Sequence, residues 1–243
     1  MAFDLNNPLI ERFVAAELRR QGAERPSARF LDLGCGDLRY GSYSDNPGWE
    51  RVIGDYDTRT AKLSLRLDAQ HLPFRDESFD VILMTEVLEH LQYPQEALQG
   101  IARVLCPNGE LILTVPFLWG MHEVPSDYFR FTEFGLARLL RDAGLQLVYF
   151  QRRANLIGVV MSYCAILANG VLEGLRRSRW LAPLAWLLSL PLAALGWMFF
   201  RLFKAAFGRR GDARYAMPGD GLKGLAGALM AQHLGYNVLA RKA

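Results

Sequence analysis

A glycine-containing segment after an apolar run is the first candidate binding element in the chain. Asp32-Leu33-Gly34-Cys35-Gly36 follows Phe30-Leu31 directly, and the apolar residues of this run are typical of a buried strand. Glycine allows the backbone to turn tightly and to approach a ligand closely, and N–H groups at the start of a following helix can bind polar groups. A tight turn without a ligand shows the same pattern, so the motif needs support from other residues.

Acidic residues stand at the ends of three further segments that resemble strands. Asp55 and Asp57 end the second segment, Asp68 ends the third, and Glu86 follows the fourth. Each of them alone could be a solvated loop residue. In a parallel sheet, however, the carboxyl ends of the strands meet at one edge, where ligands bind, and a carboxylate after the second strand can accept hydrogen bonds from both ribose hydroxyls. The order of these acids therefore predicts one shared crevice.

The fold class follows from apolar runs that alternate with helical patterns. The runs lie at 30–33, 51–54, 79–84, 109–115 and 145–150, with a final strand at 236–240. Helices are predicted at 8–22, from Pro94 to Pro107, and from Thr132 to Gly144; the first should bury Leu9, Phe13, Ala16 and Leu18. This alternation is typical of an α/β fold with a doubly wound, mostly parallel sheet.

A nicotinamide-dependent oxidoreductase is one alternative for such a fold. Its dinucleotide fingerprint needs a third glycine at position 39, where this chain has Arg39. The chain also has no Tyr-x-x-x-Lys pair. Both observations argue against this alternative.

The motifs together resemble the class I S-adenosylmethionine-dependent methyltransferases, in particular the broad small-molecule group called type 11. The resemblance covers about residues 30–150 and rests on five elements in order: Asp-Leu-Gly-Cys-Gly, Leu-Pro-Phe, Ser-Phe-Asp-Val, Val-Leu-Glu-His-Leu and Pro-Asn-Gly. It implies a Rossmann-like fold, S-adenosylmethionine as the cofactor, and methyl transfer to a small acceptor.

The resemblance also implies which residues bind the cofactor. They are Asp32, Gly34, Cys35, Gly36, Asp55, Asp57, Asp68, Ala69 and Glu86. The first four would shape the loop around the methionine part, and Glu86 would form the floor of that pocket. Asp55 would hold the ribose, with Asp57 as the alternative, while Asp68 would bind the adenine amino group beside Ala69.

Two departures from the family pattern affect the first loop. The third glycine that is frequent in the family is replaced by Leu38, and residues 39–49 are too short and too rich in turn residues for a full crossover helix. The carboxylate of the cofactor is therefore expected to be held differently from the common pattern.

The segment 115–132, after the fifth strand, is similar to one in a subset of these methyltransferases. It is rich in aromatic and titratable residues, as expected of a lid over the acceptor. His122 is the candidate catalytic base, because an imidazole can take a proton from a hydroxyl near neutral pH. The alternative is that His122 and Asp127 only brace the loop. His90 is interpreted as a structural residue at a helix start, because no second metal-type ligand is near it, and no metal ion is expected.

An apolar segment interrupts the fold between its last two strands. Residues 154–172 and 180–200 carry no formal charge over 19 and 21 residues, whereas residues 151–215 contain ten Lys and Arg against two acids. We expect an apolar, basic-flanked hairpin that lies in the inner leaflet of a membrane. A hairpin with two spans and a homodimer formed through this surface are the alternatives. The expected regions are an N-terminal helix and lead-in (1–28), the cofactor-binding methyltransferase core (29–151), the membrane-associating helical insertion (152–215), and a return helix with the final strand of the core (216–243).

Composition excludes several other classes of protein. With 243 residues, 51% hydrophobic and 22% charged, the chain is suited to one globular domain and not to disorder. A net charge of +3 does not suggest a nucleic-acid partner. Three cysteines without metal or disulfide spacing are typical of a reducing cytoplasm, and no signal peptide is expected.

The functional hypothesis is thus a methyltransferase attached to the cytoplasmic face of the membrane. Its acceptor would be a hydroxyl of a lipid, a lipid-linked glycan or another amphipathic molecule. The competing hypotheses are the nicotinamide-dependent oxidoreductase and a non-catalytic membrane-docking module with the same fold.

Overall fold

The computed structural model describes residues 6–57, 63–154, 156–177 and 233–242. Its helices are α1 (Asn6–Glu24), α2 (Pro94–Val104), α3 (Glu133–Asp142) and α4 (Leu156–Arg177), with one 3₁₀ turn at Leu88–His90. Its strands are β1 (Ala28–Leu33), β2 (Trp49–Asp55), β3 (Leu65–Arg66), β4 (Phe79–Thr85), β5 (Leu105–Pro116), β6 (Leu145–Arg153) and β7 (Gly235–Lys242).

The strands form one sheet in the order β3-β2-β1-β4-β5-β7-β6. β1 pairs in parallel with β2 and β4, β2 pairs in parallel with β3, and β4 pairs in parallel with β5. β7 runs antiparallel to both β5 and β6. The predicted α/β fold with a doubly wound, mostly parallel sheet is confirmed, and its first four strands all end at the same edge.

Apolar side chains cover both faces of the sheet. On one face, Phe13 and Leu18 of α1 pack with Phe30 and Trp49 of the first two strands. On the other face, α2 and α3 pack through Leu98, Ile101, Leu136 and Leu140. The side chain of Thr132 accepts a hydrogen bond from the N–H of Gly135 at 3.1 Å, so this residue caps α3 as predicted.

Two details of the predicted elements are wrong. In α1 the buried face contains Ile10 and Val14, whereas Ala16 is exposed. β5 begins at Leu105 and not at 109, because the register with β4 shifts between Phe79 and Val81 and takes up the extra residues. The local hydrophobic pattern of the sequence shows neither the exact buried face of α1 nor the irregular register between β4 and β5.

The basic boundary of the predicted insertion is also placed differently. β6 extends to Arg153, and Arg152 and Arg153 form ion pairs with Glu133 and Glu86 inside the fold. These two arginines therefore do not flank a membrane segment. α4 covers most of the first uncharged run, and the second run, at 180–200, lies outside the described residues. None of the described helices is both long enough and apolar enough to cross a membrane.

Candidate functional site

A crevice of about 1520 Å³ opens at the carboxyl edge of the first four strands. It is lined by eight of the nine predicted cofactor-binding residues and by the predicted base, which are Gly34, Cys35, Gly36, Asp55, Asp57, Asp68, Ala69, Glu86 and His122. Asp32 is not among the residues that line the crevice and is 4% exposed. The topology therefore brings together residues that lie as much as 88 positions apart in the chain.

The first loop turns through backbone conformations that favour glycine. Gly34 and Gly36 have φ angles of 78° and 52°, and a Cβ atom on Gly34 would lie 2.3 Å from Cγ2 of Val87. A Cβ atom on Gly36 would meet no atom within 4 Å, because this residue faces the open crevice. Leu38, where the family often has a third glycine, keeps a positive φ of 59°. The loop thus retains its shape although the third glycine is missing.

Asp55 links the loop after β1 to the loop after β2. Its carboxylate accepts hydrogen bonds from the N–H groups of Gly36 and Asp57, both at 2.8 Å. Asp55 therefore lies directly beside the glycine loop. The backbone N–H of Asp57 helps to orient the Asp55 side chain. A carboxylate in this position has further lone pairs available for a ligand hydroxyl.

Asp68 and Ala69 form the wall beyond Asp55. The carboxylate of Asp68 accepts a hydrogen bond from the N–H of Gln70 at 2.9 Å. Partial burial opposes ionisation, but the hydrogen bonds from Gln70 and His71 outweigh it and lower the pKa of Asp68. Ala69 is buried and presents a small apolar surface next to this acceptor.

Asp32 differs from the other acids because it is almost fully buried within β1. Burial and then the nearby charge of Asp55 raise the pKa of Asp32 to about 7, although Arg51 opposes this shift. Asp32 therefore does not reach into the crevice.

Glu86 connects the crevice to a buried arginine that sequence reasoning assigned to the membrane flank. Glu86 follows β4 with a φ of 50°, and its carboxylate accepts a hydrogen bond from Nη2 of Arg153 at 2.9 Å. The Arg153 side chain has no exposed surface and also donates to the carbonyl of Val115. This ion pair positions Glu86 at the junction of β4, β5 and β6.

The loop between β5 and α3 covers the other end of the crevice, as expected of a lid. Asp127 accepts two hydrogen bonds from Arg130, at 2.6 and 2.7 Å, and one from the N–H of His122 at 3.0 Å. The hydrogen bonds from Arg130 are the main cause that holds the pKa of Asp127 well below its usual range. Asp127 is thus a brace for the loop, whereas the His122 side chain lines the crevice.

Sequence reasoning missed a cluster at the acceptor end of the crevice. Potential metal-ligand atoms of Glu89, His90 and His122 all lie within 4.8 Å of one another. The interpretation of His90 as a residue without neighbouring ligands is therefore wrong. The adjacent pair Glu89-His90 was the only part of this cluster that the sequence could indicate. The position of His122 beside it depends on how the lid folds.

About a third of the chain matches a known family of domains. Residues 31–113 match the family model described as a methyltransferase domain. The chain is 30% identical to "Probable tRNA methyltransferase 9B" of Homo sapiens over 110 residues, which covers 41% of this chain and 23% of the relative. It is also 30% identical to "Uncharacterized methyltransferase YodH" of Bacillus subtilis over 149 residues, which covers 52% of this chain and 64% of the relative.

These matches span less than two thirds of the relatives' own length. Among solved structures, the fold resembles that of a proposed sarcosine dimethylglycine methyltransferase from Galdieria sulphuraria. The TM-score is 0.59 at 18% identity, and the match covers 96% of this chain and 84% of the other. At this identity the likeness supports the fold alone.

The buried position of Asp32 predicts an unusual pH dependence of stability. Since its folded pKa of about 7 lies above the usual 3.8, the folded state binds a proton that the unfolded state releases. Its contribution to stability is therefore present below about pH 4 and is lost as the pH rises to 7. Asp32→Asn should remove this loss, which is at most about 4 kcal/mol.

The measurement is urea unfolding of wild type and variant between pH 4 and 8. The free energy of unfolding should fall less steeply with pH in Asp32→Asn than in wild type. Asp37→Asn is the matched control, because Asp37 lies in the same loop with 71% of its side chain exposed. Parallel pH profiles for wild type and Asp32→Asn would show that Asp32 carries no such proton.

Proposed function

We propose that this chain, whose residues 31–113 match a methyltransferase domain, is a class I S-adenosylmethionine-dependent methyltransferase. In this proposal it transfers the methyl group of that cofactor to an acceptor hydroxyl. The observation that carries the proposal is the single crevice that joins the glycine loop and Asp55 at one end to His122 at the other. One end is suited to the cofactor and the other to the acceptor.

The residues of the crevice fit S-adenosylmethionine. When bound, this cofactor supplies a methyl group on a positively charged sulfur, which is already activated for transfer. The open approach to Gly36 leaves room for its methionine part, and the Asp55 carboxylate beside it is suited to the ribose hydroxyls. Asp68 offers an acceptor to the adenine amino group next to the apolar Ala69.

The protein contributes mainly by holding two molecules in a productive arrangement. Orientation of reactants can lower a barrier by about 7–11 kcal/mol, so few catalytic residues are needed for an activated donor. Glu86, held by Arg153, also lines the crevice. Trp119 and Tyr128 of the lid supply aromatic surface at the acceptor end.

His122 is the residue proposed to act on the acceptor. The Glu89 carboxylate near its Nε2 atom, at 3.7 Å, raises the pKa of His122 although partial burial opposes the shift. The lid backbone fixes the ring, because Nδ1 lies 3.2 Å from the carbonyl of Gly120. The His122 side chain lines the crevice, where an acceptor hydroxyl would bind. No nucleic-acid partner is proposed.

The two competing hypotheses receive less support. The methyltransferase-domain match and the missing glycine at position 39 argue against a nicotinamide-dependent oxidoreductase. A non-catalytic docking module would not need Asp55, Asp68 and Glu86 in one crevice with His122.

Attachment to the cytoplasmic face of a membrane is a second part of the proposal, and α4 supports it. This helix exposes Val160, Ile166, Leu167 and Val171, with exposed fractions of 53%, 43%, 69% and 62%. Arg176 and Arg177 at its last turn would face anionic headgroups. An acceptor that is a lipid, a lipid-linked glycan or another amphipathic molecule would then reach the crevice from the bilayer surface.

Loss of either protein carboxylate that is proposed to bind the cofactor should weaken binding of S-adenosylhomocysteine, the demethylated product. Asp55→Ala and Asp68→Ala should each cost about 1–3 kcal/mol, because each removes a hydrogen bond from a charged acceptor. Calorimetric titration measures the effect, and Asp45→Ala, at an exposed carboxylate away from the crevice, is the control. Unchanged affinity in both variants would show that the cofactor does not bind here.

Replacement of His122 should separate acceptor chemistry from cofactor binding. Membranes and their extracts are first incubated with methyl-labelled cofactor to identify the labelled acceptor. His122→Ala should then lower the rate of label transfer by about 100-fold or more while the cofactor affinity stays near wild type. Met121→Ala, an 85% exposed neighbour, is the control. A rate for His122→Ala equal to wild type would leave His122 as a brace only.

Membrane attachment predicts flotation of the protein with anionic vesicles. Binding to phosphatidylcholine vesicles that contain about a third phosphatidylserine should exceed binding to phosphatidylcholine alone, because basic residues favour an anionic surface. Ile166→Ser with Leu167→Ser should weaken binding about tenfold or more by removing apolar burial. Phe134→Ser, at a 58% exposed residue of α3, is the control. A protein that floats with neither kind of vesicle would contradict membrane attachment. This holds whether the protein is a monomer or a homodimer.

A further inference from the structure

Three side chains that could bind a metal ion converge beside the crevice. Glu89 and His90 belong to the 3₁₀ turn after β4, and His122 comes from the lid. Nε2 of His90 and Nε2 of His122 lie 3.6 and 3.7 Å from the same oxygen, Oε1 of Glu89. These distances are longer than hydrogen bonds, so the three groups face a common point without bonding to each other.

The backbone fixes how both imidazoles are protonated. Nδ1 of His90 lies 2.8 Å from the carbonyl oxygen of Ser126, and Nδ1 of His122 lies 3.2 Å from that of Gly120. A carbonyl oxygen can only accept, so each Nδ1 must carry the hydrogen. In the neutral imidazoles each Nε2 then carries the lone pair, and both Nε2 atoms lie near Oε1 of Glu89. Such a backbone hydrogen bond to the far nitrogen is the usual support for a metal-binding histidine.

Glu89 supplies the independent observation. Its side chain has no exposed surface, and within the described part of the chain neither carboxylate oxygen has a hydrogen-bond partner. A buried carboxylate without donors is costly, and two imidazole lone pairs beside it add repulsion and no compensation. A cation placed among the three groups would balance the negative charge and use both lone pairs.

The geometry points to a divalent metal site formed by Glu89, His90 and His122. Two ligands that share a metal at about 2.1 Å lie about 3.0–3.5 Å apart, so small side-chain rotations bring these atoms into position. Two imidazoles and one carboxylate suit first-row transition ions such as Mn²⁺, Fe²⁺, Co²⁺ or Zn²⁺. Three ligands from one side leave the remaining coordination positions open toward the crevice, which His90 and His122 both line.

The chemical consequence rests on the proposed function. An acceptor hydroxyl that binds the ion loses its proton to water more readily, because the ion withdraws charge from the oxygen. The oxygen lone pair then forms the new O–CH₃ bond, the CH₃–S bond of the cofactor breaks, and its electron pair stays on sulfur. The sulfonium becomes a neutral thioether as the hydroxyl proton reaches solvent. His122 is in this case a metal ligand and not the proton acceptor.

Metal binding can be tested without any methyl acceptor. Full-length protein without an affinity tag is stripped with a chelator and titrated with Co²⁺ and Zn²⁺, with stoichiometry from calorimetry and Co²⁺ coordination from its visible absorption. We expect one ion per chain in wild type and a loss of at least about tenfold in affinity for Glu89→Gln, His90→Ala and His122→Asn. His122→Asn is the variant that keeps the test valid if a change at buried Glu89 disturbs folding.

His71→Ala is the matched control for metal affinity, because His71 is a 74% exposed histidine beside Asp68 and outside the cluster. Wild-type protein that takes up no ion, or a His122→Asn variant that binds as tightly as wild type, would overturn the metal site. Methyl transfer that continues undiminished in the chelator-treated enzyme would overturn its catalytic consequence and leave the methyltransferase function standing. One bound ion without any labelled acceptor would instead support the metal site and contradict the proposed function.

Discussion

The hydrogen bond from the N–H of Gly36 to the carboxylate of Asp55 holds the cofactor end of the crevice together. It is possible because β1 and β2 run in parallel and reach the edge at the same level, where the N–H of Gly34 also bonds to the carbonyl of Gly54. Two loops that are distant in sequence therefore behave as one surface. A ligand that binds the glycine loop must also meet Asp55, which explains why backbone and carboxylate recognition occur together.

The acceptor end depends on β4 and on the lid. Glu86 and Glu89 lie three residues apart after this strand, but one pairs with buried Arg153 and the other faces two histidines. The lid is tied to the same turn, because Tyr128 and Phe129 donate backbone hydrogen bonds to the carbonyl of Glu89. Cofactor and acceptor surfaces are thus joined through a single strand end, which is suited to placing a donor and an acceptor in line.

Much of the fold and the cofactor end could be predicted from sequence because both rest on local signals. Apolar runs mark buried strands wherever they occur, and Asp55 and Glu86 are adjacent to such runs. The position of Asp32 was also predictable, but its burial was not, since the residues that cover it come from other elements. The final strand at 236–240 was predictable as an apolar run, whereas its antiparallel direction depends on its pairing with β5 and β6.

The parts that sequence missed all depend on contacts between distant segments. Arg153 reads as one of many basic residues beside an apolar run, and only the sheet shows that its side chain is buried against Glu86 and Val115. Glu89 reads as part of a family motif, and only the folded lid brings His122 to it. Hydrophobic periodicity contains no information about contacts between distant segments. Burial of a charged side chain is therefore the feature that is hardest to infer from sequence.

A crystal structure with S-adenosylhomocysteine tests the central claim most directly, because that claim places the cofactor and the acceptor at opposite ends of one crevice. The account predicts density with the ribose hydroxyls on Asp55, the adenine beside Asp68 and Ala69, and the sulfur directed toward the end lined by His122. Density elsewhere on the protein, or a crevice without the ligand at saturating concentration, would contradict it.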